Sequence, residues 1–321
     1  MRLGIIIRRG RRSFSSSKTI KNVPSDGSFG KWINKEERGR VFGQYAEEYD
    51  AHRPSYPSKV FDEIMKRCVS NKDLRVIDVA TGTGRGALAF SNYSQVSQIV
   101  ATDVDAQMIE KAKIASDASF RVAKAESVSE VLSSEEIGQF DVATVFQAFH
   151  WFDAQKVLKE LRENVLKDGG ILAVAVRLGV FFLFSHALTH THSLTHVQWN
   201  DRDLNVPWIV EFEELIEKYN EDYDRYQRQC DMFGPVLTEG NYFTLRDTIT
   251  VPHEMPVRSF EKLLAQSKTL SYVRNVIDRR DEADTLSWSH WEEDLREIVH
   301  RHHGSNPFAI PYVTRLYLLA T

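Results

Sequence analysis

A doubly wound α/β fold is what this sequence predicts, with a mostly parallel sheet of seven strands and a helical cap. Three observations carry that expectation. Between residues 74 and 176, short apolar segments alternate with segments of helical periodicity. A glycine-rich turn follows the first apolar segment at once, and residues 241–321 hold two more strand-like segments. Strands that alternate with helices pair in parallel and need both sheet faces covered. Chain chirality then makes the crossovers right-handed, which favours the doubly wound topology.

The elements follow in order. Leu74-Arg75-Val76-Ile77-Asp78-Val79 is the first strand, then come the turn Gly82 to Gly86 and a helix from about Ala87. Ile99 to Thr102 is the second strand, with a helix from Ala106 to about Ala115. Phe120 to Ala123 is the third, before a short helix at Val128 to Leu132. Val142 to Phe146 is the fourth, before a helix from Ala154 to Leu166. Gly169-Gly170 reads as the C-cap turn of that helix, and Ile171 to Val176 as the fifth strand. Helical spacing also occurs at Gly30 to Asp50 and from Val60 to Met65, with Pro54 and Pro57 as breaks between them. It returns at Trp208 to about Tyr226, Ser259 to Ile277 and Leu286 to His300. Phe243 to Val251 and Tyr312 to Leu319 complete the sheet. The expected organisation is a leader at 1–25, a ligand-binding domain at 30–176, an insertion and cap at 177–240, and completing elements at 241–321.

Composition narrows the function classes. The chain has 321 residues, 42 % apolar and 27 % charged, as in an ordinary globular protein. A net charge of −4 supplies no basic field for nucleic acid. Two cysteines, Cys68 and Cys230, exclude a disulfide scaffold and a Cys-rich zinc module. The longest apolar run, Ile171 to Phe184, is broken by Arg177 and falls short of the roughly 20 residues of a membrane span. A monomer acting on a small molecule, with no nucleic-acid or membrane partner, is therefore expected. Arg2, Arg8, Arg9, Arg11, Arg12, Lys18 and Lys21 all precede the first acid, Asp26, among the serines of Ser13 to Ser17. That composition predicts a mitochondrial transit peptide, with a cytoplasmic basic tail as the alternative.

The chemistry is concentrated in Val76-Ile77-Asp78-Val79-Ala80-Thr81-Gly82-Thr83-Gly84-Arg85-Gly86. In open α/β sheets, ligands bind beyond the carboxyl ends of the strands at the switch point in strand order. The turn there must let a ligand approach the backbone, and Gly82 and Gly84 suit that demand. A dinucleotide site has G-x-G-x-x-G and holds a pyrophosphate. Here the spacing is G-x-G-x-G, and Asp78 beside the turn would repel a pyrophosphate. A cationic amino-acid moiety, as in the methionyl part of S-adenosylmethionine, suits the acid better. Asp103 stands about 20 residues past the glycines, where an acid at a strand end holds ribose hydroxyls. Asp105 has the alternative of capping the next helix, and Met108 that of packing in the core.

Asp78 to Gly84, Ala101-Thr102-Asp103-Val104-Asp105, Phe140-Asp141-Val142 and Leu166-Lys167-Asp168-Gly169-Gly170 resemble the successive motifs of class I S-adenosylmethionine-dependent methyltransferases, whose fold is Rossmann-like. Tyr49 to Pro57 and Gln147-Ala148-Phe149-His150-Trp151-Phe152-Asp153 are similar to the trans-aconitate methyltransferase-like group. The resemblance implies S-adenosylmethionine as cofactor and a small acceptor, with a carboxylate as one candidate. It places Asp78, Ala80, Thr81, Gly82 and Gly84 at the methionine end and Asp103 at the ribose. Val104 and Met108 would touch the adenine, Ala125 and Glu126 its edge, and Gln147 would lie close to the transferred methyl. Tyr49, Arg53, His150 and Trp151 would face the acceptor. Ala80 departs from the pattern, which usually has glycine there.

His150 has two readings, general base or positioning residue, because an imidazole titrates near neutrality. Arg53 has a fork that fits a carboxylate, or it anchors the N-terminal helix. His186, His190, His192 and His196 lie in a Thr-, Ser- and Leu-rich tract with no acid or cysteine, read as a low-complexity insertion in preference to a zinc site. Two other functions remain open from the sequence. One is a non-catalytic methyltransferase-like assembly factor, and the other, less favoured, an NAD(P)-dependent oxidoreductase.

Overall fold

The computed structural model describes residues 55–68, 72–114, 118–177, 202, 204–219, 233–268, 273 and 288–321. The expected helix at Gly30 to Asp50, the histidine tract, Tyr49 and Arg53 lie outside them. Seven strands form one sheet in the order β3-β2-β1-β4-β5-β7-β6. They are β1 (Leu74–Val79), β2 (Val96–Asp103), β3 (Ser119–Val122), β4 (Phe140–Phe146), β5 (Leu166–Arg177), β6 (Thr244–Val257) and β7 (Phe308–Ala320). The first five are parallel, and β7 enters antiparallel between β5 and β6. The expected sheet is present, and its strand order reverses between β1 and β4.

Eight helices accompany it among the described residues: α1 (Ser58–Met65), α2 (Arg85–Phe90), α3 (Ala106–Lys113), α4 (Ala154–Glu160), α5 (Pro207–Tyr219), α6 (Phe233–Thr238), α7 (Phe260–Lys268) and α8 (Trp288–His303). No helix among the described residues is long and apolar enough to cross a membrane. Alternation along the strands sends Ile77, Val79, Val145, Val174, Tyr317 and Leu319 into one core with α4 and α6. Val76, Val142, Phe146, Ala173, Leu316 and Leu318 enter a second core with α1 and Phe90. Every residue of β4 is buried, as a central parallel strand requires.

A third core is built differently. Val251 and Thr314 pair at the level of Arg177, the last residue of β5. The rest of β6 and the first half of β7, Phe308 to Val313, therefore run on past the C-terminal edge of the parallel strands. Helices α5, α7 and α8 pack on that extension through Trp208, Phe212, Leu263, Trp291, Leu295, Ile310 and Tyr312. Arg202 pairs with Glu213 inside this core and lies over the Phe212 ring. This is the expected helical cap, on the expected side of the sheet.

Several boundaries differ from the sequence-based expectation. Strand β2 begins three residues early because its first half carries Ser97 and Gln98, which hydrogen-bond to β1 rather than fill a core. Strand β6 continues through Pro252 and Pro256, which an edge strand tolerates because one side of its backbone needs no partner. Gly169-Gly170 does not cap α4. That helix gives way to a single π turn at Leu161–Val165. The pairing of β4 with β5 then skips from Leu166 to Ile171, so Lys167 to Gly170 bulge out, with Gly169 at φ +76°. Asp141 closes this lower end of the sheet, accepting the Arg75 backbone N–H at 2.8 Å and pairing with Lys167.

Candidate functional site

The C-terminal ends of β1, β2 and β4 gather the predicted residues at the reversal in strand order. The chain leaves β1 through Ala80 at φ +54° and leaves β4 through Gln147 at φ +56°. Both are left-handed conformations that side chains disfavour by about 1–2 kcal/mol. Strain of this kind, shared by neighbouring strand ends, is a signature of a binding site. Gln147 donates its backbone N–H to Ala175 on β5 at 2.9 Å, while its amide Nε2 is buried with no hydrogen-bond partner among the described residues. An unpaired buried amide next to a strained backbone is a candidate donor to a ligand.

Asp103 ends β2 at 8 % exposure. One carboxylate oxygen accepts the Gly82 N–H at 2.9 Å and the other the Asp105 N–H at 2.9 Å. These bonds bind the glycine turn after β1 to the turn after β2, and they leave lone pairs for hydroxyl donors. Burial pushes the Asp103 carboxyl up to about 6, against the pull of those backbone donors. Asp105 accepts from the Gln107 N–H at 2.8 Å and so caps α3, the plainer of its two readings.

The glycines divide their work. A side chain at Gly82 would meet nothing within 4 Å, so the turn presents bare backbone to an open space. At Gly84, with φ +81°, a Cβ would press on Ala112 at 3.0 Å and Phe120 at 3.3 Å. At Gly86 it would stand 2.6 Å from an Asp78 oxygen, so close packing of α2 on β1 demands glycine.

That last contact corrects the expectation for Asp78. Its carboxylate does not point at the ligand space. It lies beneath α2, 1 % exposed, accepting from Thr81 Oγ1 at 2.6 Å and Thr144 Oγ1 at 2.7 Å. Burial pushes it up to about 6, and the nearby Asp103 charge adds to the rise. Asp78 is a positioning residue that fixes the turn, and Thr81 serves it by the same bond. Thr144 was missed by the sequence reading, since a threonine inside a strand carries no motif.

The remaining predicted residues ring the same edge. Val104 is half-buried, and Met108 is 3 % exposed on the inner side of α3. Ala125 is buried just past β3, and Glu126 accepts the Asp153 N–H at 3.0 Å, joining the loops after β3 and β4. His150 and Trp151 lie in a 3₁₀ turn, Phe149–Trp151, directly after β4. Phe149 plugs that turn into the core against Phe152 and Phe233, while the Trp151 ring is 46 % exposed. The sequence reading gave no role to Ser55 or Tyr56. Tyr56 packs on Phe146, the last residue of β4, at 5.0 Å between ring centres, and Arg85 donates to Ser55 Oγ at 3.3 Å. The stretch that follows Pro54 therefore reaches the glycine turn.

Comparison with known proteins decides what the site belongs to. A family model described as a methyltransferase domain matches residues 77–174, from β1 to β5. Residues 77–174 are an S-adenosylmethionine-dependent methyltransferase domain. Two uncharacterized proteins of Schizosaccharomyces pombe resemble the whole enzyme. One, a methyltransferase-like protein, is 23 % identical over 80 % of this chain and 97 % of its own length. The other, a methyltransferase, is 26 % identical over 78 % of this chain and 94 % of its own. A solved structure from Anaeromyxobacter dehalogenans, proposed to be a type II methyltransferase, shares the fold with a TM-score of 0.57 at 21 % identity, covering 83 % of this chain and 97 % of that one.

S-adenosylmethionine fits what the methyltransferase domain offers. The space over Gly82 admits a ligand against the backbone, Asp103 presents a carboxylate for hydroxyls, and Gln147 holds a spare donor.

Proposed function

We propose that this methyltransferase acts on a small molecule, and that the acceptor atom is a carboxylate oxygen. The observation that carries the reading is the pairing of Asp103 with Gly82 opposite the strained Gln147 and its unused amide. Asp103 holds the ribose, Gly82 and Gly84 shape the methionine end, and Val104, Met108, Ala125 and Glu126 flank the adenine. When bound, S-adenosylmethionine supplies an electrophilic methyl carbon, to which an acceptor oxygen bonds as the carbon–sulfur bond breaks and its electron pair returns to sulfur.

A carboxylate is already ionised at neutral pH, so no base is required. The chain's own contribution is alignment and exclusion of water, which suffices for a displacement of this kind. Gln147 orients the reacting groups through its amide. The family resemblance assigns Tyr49, Arg53, His150 and Trp151 to the acceptor, with the Arg53 fork suited to an acid. Should the acceptor be a hydroxyl or amine, His150 takes its proton. The trans-aconitate methyltransferase-like character of Tyr49 to Pro57 and Gln147 to Asp153 favours the acid. The composition of residues 1–25 supports a mitochondrial location; a reporter carrying residues 1–25 that stays in the cytosol would refute it.

The test is methyl transfer from isotope-labelled cofactor into a metabolite extract, read by mass spectrometry. A labelled methyl ester of a small acid is expected. Label confined to amines or macromolecules would overturn the carboxylate reading.

A further inference from the structure

The turn at Phe149–Trp151 is pinned on both sides. Before it, Gln147 leaves β4 at φ +56° with its N–H on the Ala175 carbonyl. After it, Asp153, the N-cap of α4, donates its backbone N–H to Glu126 Oε1 at 3.0 Å. Five residues, 148–152, lie between these two points. The loop that carries Glu126 is fastened in turn to the end of β2, because Ala123 donates its N–H to the Asp103 carbonyl at 2.9 Å. A second bond joins the same loop to α4 in the opposite sense. Glu160, 8 % exposed, accepts the Ser129 N–H at 2.7 Å and takes the Asn164 side-chain amide on its other oxygen at 2.6 Å. Between the two bonds Ser127 breaks the 3₁₀ segment Ala125–Val131, at φ −149° and ψ 45°. The buried Glu160 bond thus holds the far half of the loop to α4. The near half, Ala125 and Glu126, joins the turn through the half-buried Glu126 carboxylate, an acceptor of the charge-assisted kind.

We propose that the Glu126 side chain is a positioning residue for the acceptor. By holding the Asp153 N–H it ties the Phe149–Trp151 turn to the loop after β3, so that bound cofactor sets the turn that receives the acceptor. The inference rests on the proposed placement of the adenine beside Ala125 and of the acceptor at Trp151, and it adds how the two are coupled. A ligand that fixes the loop after β3 restrains Asp153 through this bond, and the turn is already anchored at Gln147. Coupling between two ligand sites needs such a physical link whose state both sites bias. Trp151, with its ring 46 % exposed, reports on the turn.

The test compares wild type, Glu126→Ala and Glu126→Gln in the full chain, each beside its Trp151→Phe counterpart, with S-adenosylhomocysteine as the probe. Acrylamide quenching of tryptophan fluorescence, by difference, reads Trp151, and calorimetry reads probe affinity. In wild type, saturating probe is expected to change Trp151 quenching at least twofold. Glu126→Ala should abolish that response with probe affinity within about tenfold of wild type, the order of one charge-assisted bond. Glu126→Gln should keep it, since its amide oxygen can accept the same N–H. Transfer of labelled methyl from saturating S-adenosylmethionine into a metabolite extract should fall about tenfold in Glu126→Ala and be largely kept in Glu126→Gln. Asp153 offers an independent arm that decides the matter should Glu126→Ala not fold. Its φ of −74°, after the extended Phe152, accommodates proline, so Asp153→Pro removes the N–H, whereas Asp153→Ala loses the same side-chain cap and keeps it. The proline variant alone should lose the Trp151 response. A response absent from wild type with probe bound, intact in Glu126→Ala, or equal in the two Asp153 variants overturns the clamp. A fall in probe affinity beyond tenfold in both Glu126 variants overturns it too, since the carboxylate is then a ligand of the adenine. No saturable probe binding by wild type refutes the cofactor site and the clamp with it. Label on an acceptor that is not an acid, with the Trp151 pattern as expected, refutes the carboxylate alone and upholds the clamp.

Discussion

Gly82 and Gly84 sit two residues apart in one turn, both with positive φ, yet substitution should reveal different duties. Alanine at either carries a left-handed penalty of about 1–2 kcal/mol. At Gly84 the new methyl also collides with Ala112 and Phe120, so Gly84→Ala should lower the urea midpoint clearly more than Gly82→Ala. At Gly82 the methyl enters open space, so Gly82→Ala should fold well and weaken S-adenosylmethionine binding at least tenfold, as measured by calorimetry. Equal stability losses with unchanged cofactor affinity would place the ligand elsewhere. Asp103 makes the matching argument for pH. On the proposed reading, ribose hydroxyls donate to its ionised form, and burial pushes it up to about 6. Cofactor affinity should therefore be flat above pH 7 and fall as pH drops through 6.

At the scale of elements, α3 offers a clean separation of support from contact. Asp105 caps it and also donates its N–H to Asp103. Asp105→Ala removes the side-chain cap at about 1 kcal/mol, while the backbone bond to Asp103 survives. The expected result is a lower melting temperature with cofactor affinity within about threefold. A loss of binding as severe as that of an Asp103 variant would mean that Asp105 touches the ligand. The elements also show what a sequence makes visible. Strands β1 and β4 stood out because both their faces are buried, giving mostly apolar segments. The first half of β2 and the proline-bearing end of β6 past Val251 were hidden, because partly exposed or edge strands need no such run. Gly169-Gly170 looked like a helix cap from its neighbours, whereas a bulge at the start of β5 is set by pairing with a distant strand. Asp78 was located by its place in the motif, but its direction was not, since that depends on Thr144 sixty-six residues away.

Across the whole molecule, two buried carboxylates, Asp78 and Asp103, give the unliganded protein a particular pH response. Asp78 and Asp103 are both pushed up to about 6 from an ordinary 3.8, so the folded state holds their protons more tightly than the unfolded chain does. Their ionisation therefore costs stability above pH 6, and that cost is relieved as pH falls from about 7 toward 4. Each shift corresponds to about 3 kcal/mol. Burial lowers His303, which works in the opposite direction below its ordinary 6.5. Urea unfolding should show the two aspartates prevailing: stability at pH 5.5 above that at pH 7.5 without cofactor, and a smaller gain in Asp103→Asn. A fall in stability over that interval would contradict the buried placement of the pair. Saturating S-adenosylmethionine should reduce the gain as well, because it binds the ionised form.

The expectations about cofactor affinity depend on one claim, that S-adenosylmethionine binds at the reversal between β1 and β4 with Asp103 as its ribose ligand. Titration calorimetry of the full chain, wild type beside Asp103→Ala, tests it most directly. The account predicts one saturable site in the wild type and an affinity at least thirtyfold weaker in the variant, with circular dichroism showing that the variant remains folded. Equal affinity in the folded variant, or no saturable binding by the wild type, would contradict it.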